Sequence, residues 1–153
     1  MAIVENSEPE IFENLLFFER EVPNPQIVKR EIDSIMPKLR KIGVKHKNIV
    51  ISKVINTNST KKTMLMQIRI PINESHQLAQ FFEDNPQYIL ESSFVIKKGV
   101  KIIIDNNERE FHNGIKLLMA RRPDFDMSQN HIIELSHISF DGKVLGFELF
   151  LED

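Results

Sequence analysis

Glu134 is the residue of this chain that most invites chemistry. It stands in a strand-like run with Ile132, Ile133, Leu135 and Ile138. A carboxylate among apolar side chains must find a cation or a donor, or else keep its proton. In a cleft it would meet a cation or a hydrogen-bond donor on a ligand. Simple alternation offers the plainer outcome, in which Glu134 turns to solvent beside Ser136 on the open face of an antiparallel sheet. Other constellations carry less. His131 and His137 lie six apart in one strand, at a separation of roughly 20 Å, too far to share a metal ion. His46, His76 and His112 show no ligand spacing. Asp105 and Glu108 flank Asn106-Asn107 and could be paired for acid–base work, but a helix N-terminus favours acidic residues in any case. No G-x-S-x-G elbow, H-E-x-x-H or glycine-rich phosphate loop occurs. The absence of cysteine removes disulfides, thiolate metal sites and a cysteine nucleophile. The expectation is a protein with no catalytic residues, no metal and no cofactor. Met64, Met66 and the pair Phe81-Phe82 could line an adaptable apolar groove, although core packing explains each as well.

Composition narrows the partners. Twenty basic against twenty-two acidic side chains give a net charge of −2, which is no electrostatic footprint for nucleic acid. The basic run Lys38–Lys47 suits a solvated face at a helix C-terminus. Uninterrupted apolar runs reach four residues, far short of the ~20 that a spanning helix needs, so no membrane partner is expected. The acidic start, with Glu5, Glu8, Glu10 and Glu13, lacks the pattern of a signal peptide. A cytoplasmic protein is the expectation. A chain of 153 residues fits one domain that buries roughly two thirds of its unfolded surface.

The elements that must position Glu134 occur twice. Residues 14–72 read as strand, helix, strand, strand, and residues 93–153 repeat that pattern about 81 positions later. A polar arm (1–12), expected to be flexible, precedes a single domain (13–153), and a connector (73–92) joins the repeats. Leu15–Val22 reads as the first strand. Asn24-Pro25 starts a helix whose stripe runs from Ile27 to Ile42 and stops at Gly43, with Pro37 expected to kink or break it. Asn48–Asn56 and Thr63–Ile72 form a hairpin; Met64, Met66, Ile68, Ile70 and Ile72 alternate onto one face. Ser75–Asp84 has the pattern of a short helix. Phe94–Ile104 reads as one strand with a bulge or bend at Gly99. A helix capped at Asn106 or Asn107 follows, then the hairpin His131–Ser139 and Val144–Glu152 around Asp141-Gly142. Leu15-Leu16-Phe17-Phe18 puts two large apolar residues on each strand face, so both faces need cover. The result is an α+β domain of six or seven antiparallel strands, with two main helices on one face. At the position matched to Glu134 the first repeat carries Lys53. If the half-sheets face each other, these two charges could pair and close the groove.

Two tandem βαββ repeats of this length resemble the GyrI-like effector-binding domain. Phe94–Ile103 is similar to that family's segment in which a glycine sits between two apolar strand halves. Ile68-Arg69-Ile70-Pro71-Ile72 is similar to its repeat-ending strand. His131-Ile132-Ile133-Glu134-Leu135 is similar to the strand that presents a glutamate to the ligand. The resemblance implies a ligand groove between repeats, with Glu134 as anchor and Tyr88, Met64, Met66 and Lys53 as further ligand-binding candidates. Family members that bind cationic drugs surround the glutamate with Trp and Tyr; this chain has no Trp, and Tyr88 is its only Tyr. The acidic arm carries no helix-turn-helix pattern, so a standalone, non-catalytic binding protein for a small amphipathic ligand is expected rather than a ligand-responsive activator. The chain also resembles an uncharacterised family of similar length from low-GC Gram-positive bacteria, whose genes lie beside type VII secretion clusters encoding LXG-type toxins. That likeness implies an interaction module with a protein or peptide partner, accessory to or a chaperone for a secreted toxin.

Overall fold

The computed structural model describes residues 2–121 and 132–153. The chain begins with β1 (Ala2–Asn6) and β2 (Glu10–Val22), so strand structure occupies much of the stretch expected as a loose arm. Helix α1 (Pro25–Lys41) starts where Asn24, in extended conformation, accepts the Gln26 amide on its side chain at 3.0 Å. Pro25 supplies the first helical position, whose N–H has no intrahelical partner. Lys38, Arg40 and Lys41 sit in the last turn against the negative end of the helix dipole. The helix stops at Gly43, whose φ of 75° lets its amide turn back to the Arg40 carbonyl at 3.0 Å. Pro37 lies inside α1 without dividing it into two helices.

After α1 come β3 (Ile49–Asn58), β4 (Thr63–Pro71), the short α2 (Leu78–Asp84) and β5 (Ile89–Ile96). Then follow β6 (Gly99–Asp105), α3 (Glu108–Arg121), β7 (Ile133–Ile138) and β8 (Val144–Glu152). Asn107 caps α3, its side-chain oxygen accepting the amides of Arg109 and Glu110 at 3.0 and 3.2 Å. The eight strands of the described residues join one antiparallel sheet in the order β1-β6-β8-β7-β3-β4-β2-β5, and those residues form three helices. The fold is α+β, with more strands than the six or seven expected. One addition is β1, which pairs with β6. The other arises because Phe94–Ile104 is two strands, not one bent strand. The chain leaves β5 at Ile96 and enters β6 at Gly99.

That short step sets the shape of the sheet. β5 and β6 hold the eighth and second places in the strand order, which in a flat sheet would lie six spacings apart, roughly 29 Å. Only Lys97 and Lys98 separate them, and three Cα steps span at most about 11 Å. The sheet must therefore curl until the end of β5 comes close to the start of β6, although no ladder joins these two strands. Gly99 sits at the joint because a Cβ there would stand 2.1 Å from the Leu151 carbonyl oxygen and 2.9 Å from the Glu152 Cα.

Curling gives the sheet an inner and an outer face, and each has its own core. The inner face holds Leu15, Ile51, Ile96, Ile133, Leu135 and Phe150, from strands far apart in the order. On the outer face α1 covers Leu16, Phe18, Ile68 and Ile70, while α3 covers Ile102, Ile104, Leu149 and Leu151. Both faces of the Leu15–Phe18 run are thereby occupied. Leu16 and Phe18 face α1; Leu15 enters the inner core, and Phe17 lies under the Arg69 guanidinium at 4.8 Å. Among the described residues no helix is long and apolar enough to cross a membrane.

Candidate functional site

The strands β3 and β7 meet at the middle of the sheet, and their pairing decides which side chains share a face. Ser52 stands opposite Glu134, and Glu134 opposite Leu149 on β8. One step along, Val50 stands opposite Ser136, and Ser136 opposite Phe147. Leu149 belongs to the core beneath α3, and Val50 to the core beneath α1. Glu134 therefore lies on the helix-covered face, above the seam where one helix gives way to the other. Two hollows open there. One, of about 300 Å³, is walled by Val28 and Ile32 of α1 and by Ile68, Ile138 and Val144. The other, of about 520 Å³, is walled by Phe111 and Ile115 of α3 and by Val54, Met64 and Leu149. Glu134, Ser52, Met66 and Pro25 line both.

The carboxyl of Glu134 is held by hydroxyls. Ser136 Oγ donates to Glu134 Oε1 at 3.5 Å. Burial pushes the Glu134 carboxyl up from its ordinary value of 4.5, and the Ser136 and Ser52 hydroxyls oppose that rise. The side chain keeps a partly accessible edge in the hollows, yet their walls strip enough water from it for desolvation to dominate. Among the described residues no ion pair reaches this carboxyl. Among the described residues no histidine lines either hollow, and no group of metal-ligating side chains is found.

The other candidate residues fall in three places. Met66 lines both hollows and Met64 the larger one. Lys53 borders the larger hollow, but its register partner is Ile133, of the inner core, and Ser52 is the residue opposite Glu134. The pairing of Lys53 with Glu134 is therefore not made, because alternation along β3 sends neighbouring side chains to opposite faces. Tyr88 lines neither hollow. It precedes β5, four places from β7 in the sheet, and is 6% exposed. Its ring lies 5.4 Å from Phe18 and 6.2 Å from Phe81. Its hydroxyl donates to Glu31 Oε2 at 2.7 Å, and Arg20 grips the same carboxylate at 2.8 and 3.0 Å. Burial first, and then the bond to anionic Glu31, push the Tyr88 phenol up to about 12. His131 lies outside the described residues. His137 Nε2 donates to Glu148 Oε2 at 2.7 Å, beside a Lys101–Glu148 ion pair of 3.0 Å, and lines neither hollow.

Sequence reasoning missed Ser52, Pro25, Phe111 and Ile115 as walls of the site. Phe111 and Ile115 were legible as a helix stripe, but nothing local says that this stripe stops short of Glu134. The site and fold so defined are those of an α+β protein with a polar-floored groove. A scan against protein-family models finds no match, and a search of the curated proteins finds none either.

Proposed function

We propose that this protein is a non-catalytic binding protein that takes a small amphipathic ligand in the groove over β3 and β7, with Glu134 as polar anchor. One observation carries the reading. A desolvated carboxyl whose neighbours are serine hydroxyls stands at the shared floor of two apolar-walled hollows. Such a group offers a protonated amine, or another donor, a carboxylate to which no other described residue brings a cation. The hollows together fall in the size range of small-molecule sites, about 300–1,000 Å³. The strand order supports the two-repeat interpretation: β6-β8-β7 and β3-β4-β2 are mirrored about the β3–β7 seam, and each set carries its helix after its first strand. Thermal-shift screening with cationic amphipathic compounds tests the reading. Stabilisation by members of the panel that is lost in Glu134→Gln is expected. A panel without effect, or an equal effect on both proteins, refutes it.

The free edge of β5 favours a second reading, an interaction module accessory to a secreted toxin. Among the described strands β5 pairs with β2 alone, and it exposes Ile89 at 58%, Leu90 at 44% and Val95 at 43%. Unpaired backbone on an apolar edge accepts an extended segment of another chain. Lysines at Ser92 and Ser93 would block such pairing. A partner recovered from host cells with the parent protein and lost with Ser92→Lys/Ser93→Lys supports this reading; identical recovery with both excludes it.

A further inference from the structure

The position of Glu134 within the groove restricts what the groove accepts. Its carboxyl is at a waist, not at a closed end. The smaller hollow extends from it under α1, past Val28 and Ile32, and the larger extends the other way under α3, past Phe111 and Ile115. Both walls are mainly apolar, and the polar pair Ser52 and Glu134 is common to both, while Lys29, Asp33 and Ser136 line the smaller hollow and Lys53, Asn56 and Thr57 the larger. A ligand with a terminal polar head placed at Glu134 sends its tail into one hollow and leaves the other to water against apolar walls. A ligand with its polar group in mid-chain fills both and removes more apolar surface from water.

Building on the binding function proposed above, we infer that the groove selects ligands of the secondary-amine class, in which one nitrogen sits between two apolar arms. A secondary ammonium carries two N–H donors. One meets the Glu134 carboxylate and the second meets a serine oxygen, Ser52 or Ser136, while one arm lies in each hollow. A primary alkylammonium has only one tail to bury, and so leaves one apolar hollow to water.

Dihexylamine and dodecylamine test this directly, because they are isomers with one basic nitrogen each. Binding of both to the full chain is measured by titration calorimetry, below the concentration at which either aggregates. Dihexylamine is expected to bind about tenfold more tightly or better, the effect of burying additional methylenes in the second hollow. Equal or tighter binding of dodecylamine overturns the two-armed inference while leaving the binding function standing. Absence of binding by both amines, with no response to the wider cationic panel, overturns the function itself. Two variants locate the arms. Ile32→Trp narrows the smaller hollow and Ile115→Trp the larger, and each is expected to weaken dihexylamine about tenfold or more. Dihexylamine binding that survives either substitution in a folded variant overturns the inference. The isomer comparison needs no substitution and decides by itself if a variant fails to fold.

Discussion

Ser52 and Glu134 stand directly opposite each other across the β3–β7 ladder, on the face that the helices cover. The pair joins the two halves of the chain at their seam and makes a buried carboxyl with hydroxyl neighbours. A structural salt bridge at this place would have neutralised the charge from within; serine leaves it available.

Glu134→Gln is expected to raise stability at neutral pH. The folded carboxyl is pushed above its ordinary value of 4.5, so the folded state holds its proton more tightly than the unfolded chain does. The associated stability is complete below about pH 4 and is lost as pH rises through the raised folded value. Thermal melts from pH 3.5 to 8 check this. The melting temperatures of the two proteins should converge at the acid end, with the glutamine variant higher at pH 7.5.

Tyr88→Phe is expected to cost about 1–2 kcal/mol through the loss of the bond to Glu31, and to leave ligand binding in the groove unchanged. The alkaline limb carries a further signature. Because the Tyr88 phenol is pushed up to about 12, its contribution is present below about pH 10 and disappears as pH rises through about 12. Urea unfolding at pH 8 and pH 11 measures it: the gap between parent and Y88F should shrink at the higher pH.

Arg69 holds Glu91 through two bonds, of 2.8 and 3.4 Å, and lies between the rings of Phe17 and Phe94 at 4.8 and 4.1 Å. Removing it in Arg69→Ala takes away cation–π contacts and charge-assisted hydrogen bonds together, an expected loss of about 2–3 kcal/mol. In a domain of this size that lowers the melting temperature by about 5–10 °C. A double-mutant cycle with Glu91→Ala should show strong non-additivity.

Gly99→Ala is expected to cost about 3 kcal/mol, because the added methyl meets the backbone of Leu151 and Glu152, which cannot swing aside like a side chain. Chemical denaturation gives the value directly. A loss under about 0.5 kcal/mol would mean that β6 and β8 separate there without penalty.

Much of the local structure was legible because its causes are local. Asn24-Pro25 and Gly43 carry the capping chemistry of α1 within themselves, the alternation from Met64 to Ile72 records one covered face of β4, and Asp141-Gly142 marks the hairpin tip, where Gly142 adopts φ 88°. The same reading joined β5 to β6, because Phe94–Ile104 is apolar throughout and two lysines look the same in a bulge as in a change of sheet position. It left β1 in an arm, because its pairing partner, β6, lies far along the chain.

By itself the sequence determined both main helices and their starts, the hairpin turns, and the isolation of one carboxylate among apolar residues. Tertiary structure alone decided that β3 lies beside β7, that Ser52 rather than Lys53 faces Glu134, and that Tyr88 lines neither hollow although it shares the α1 core with Val28 and Ile68, which do. Alternation sorts side chains onto two faces, but it does not say which face a distant helix will cover or where two helices will leave a gap. Those outcomes depend on pairing between strands widely separated in the chain, and on a curl imposed by the two-residue step from β5 to β6.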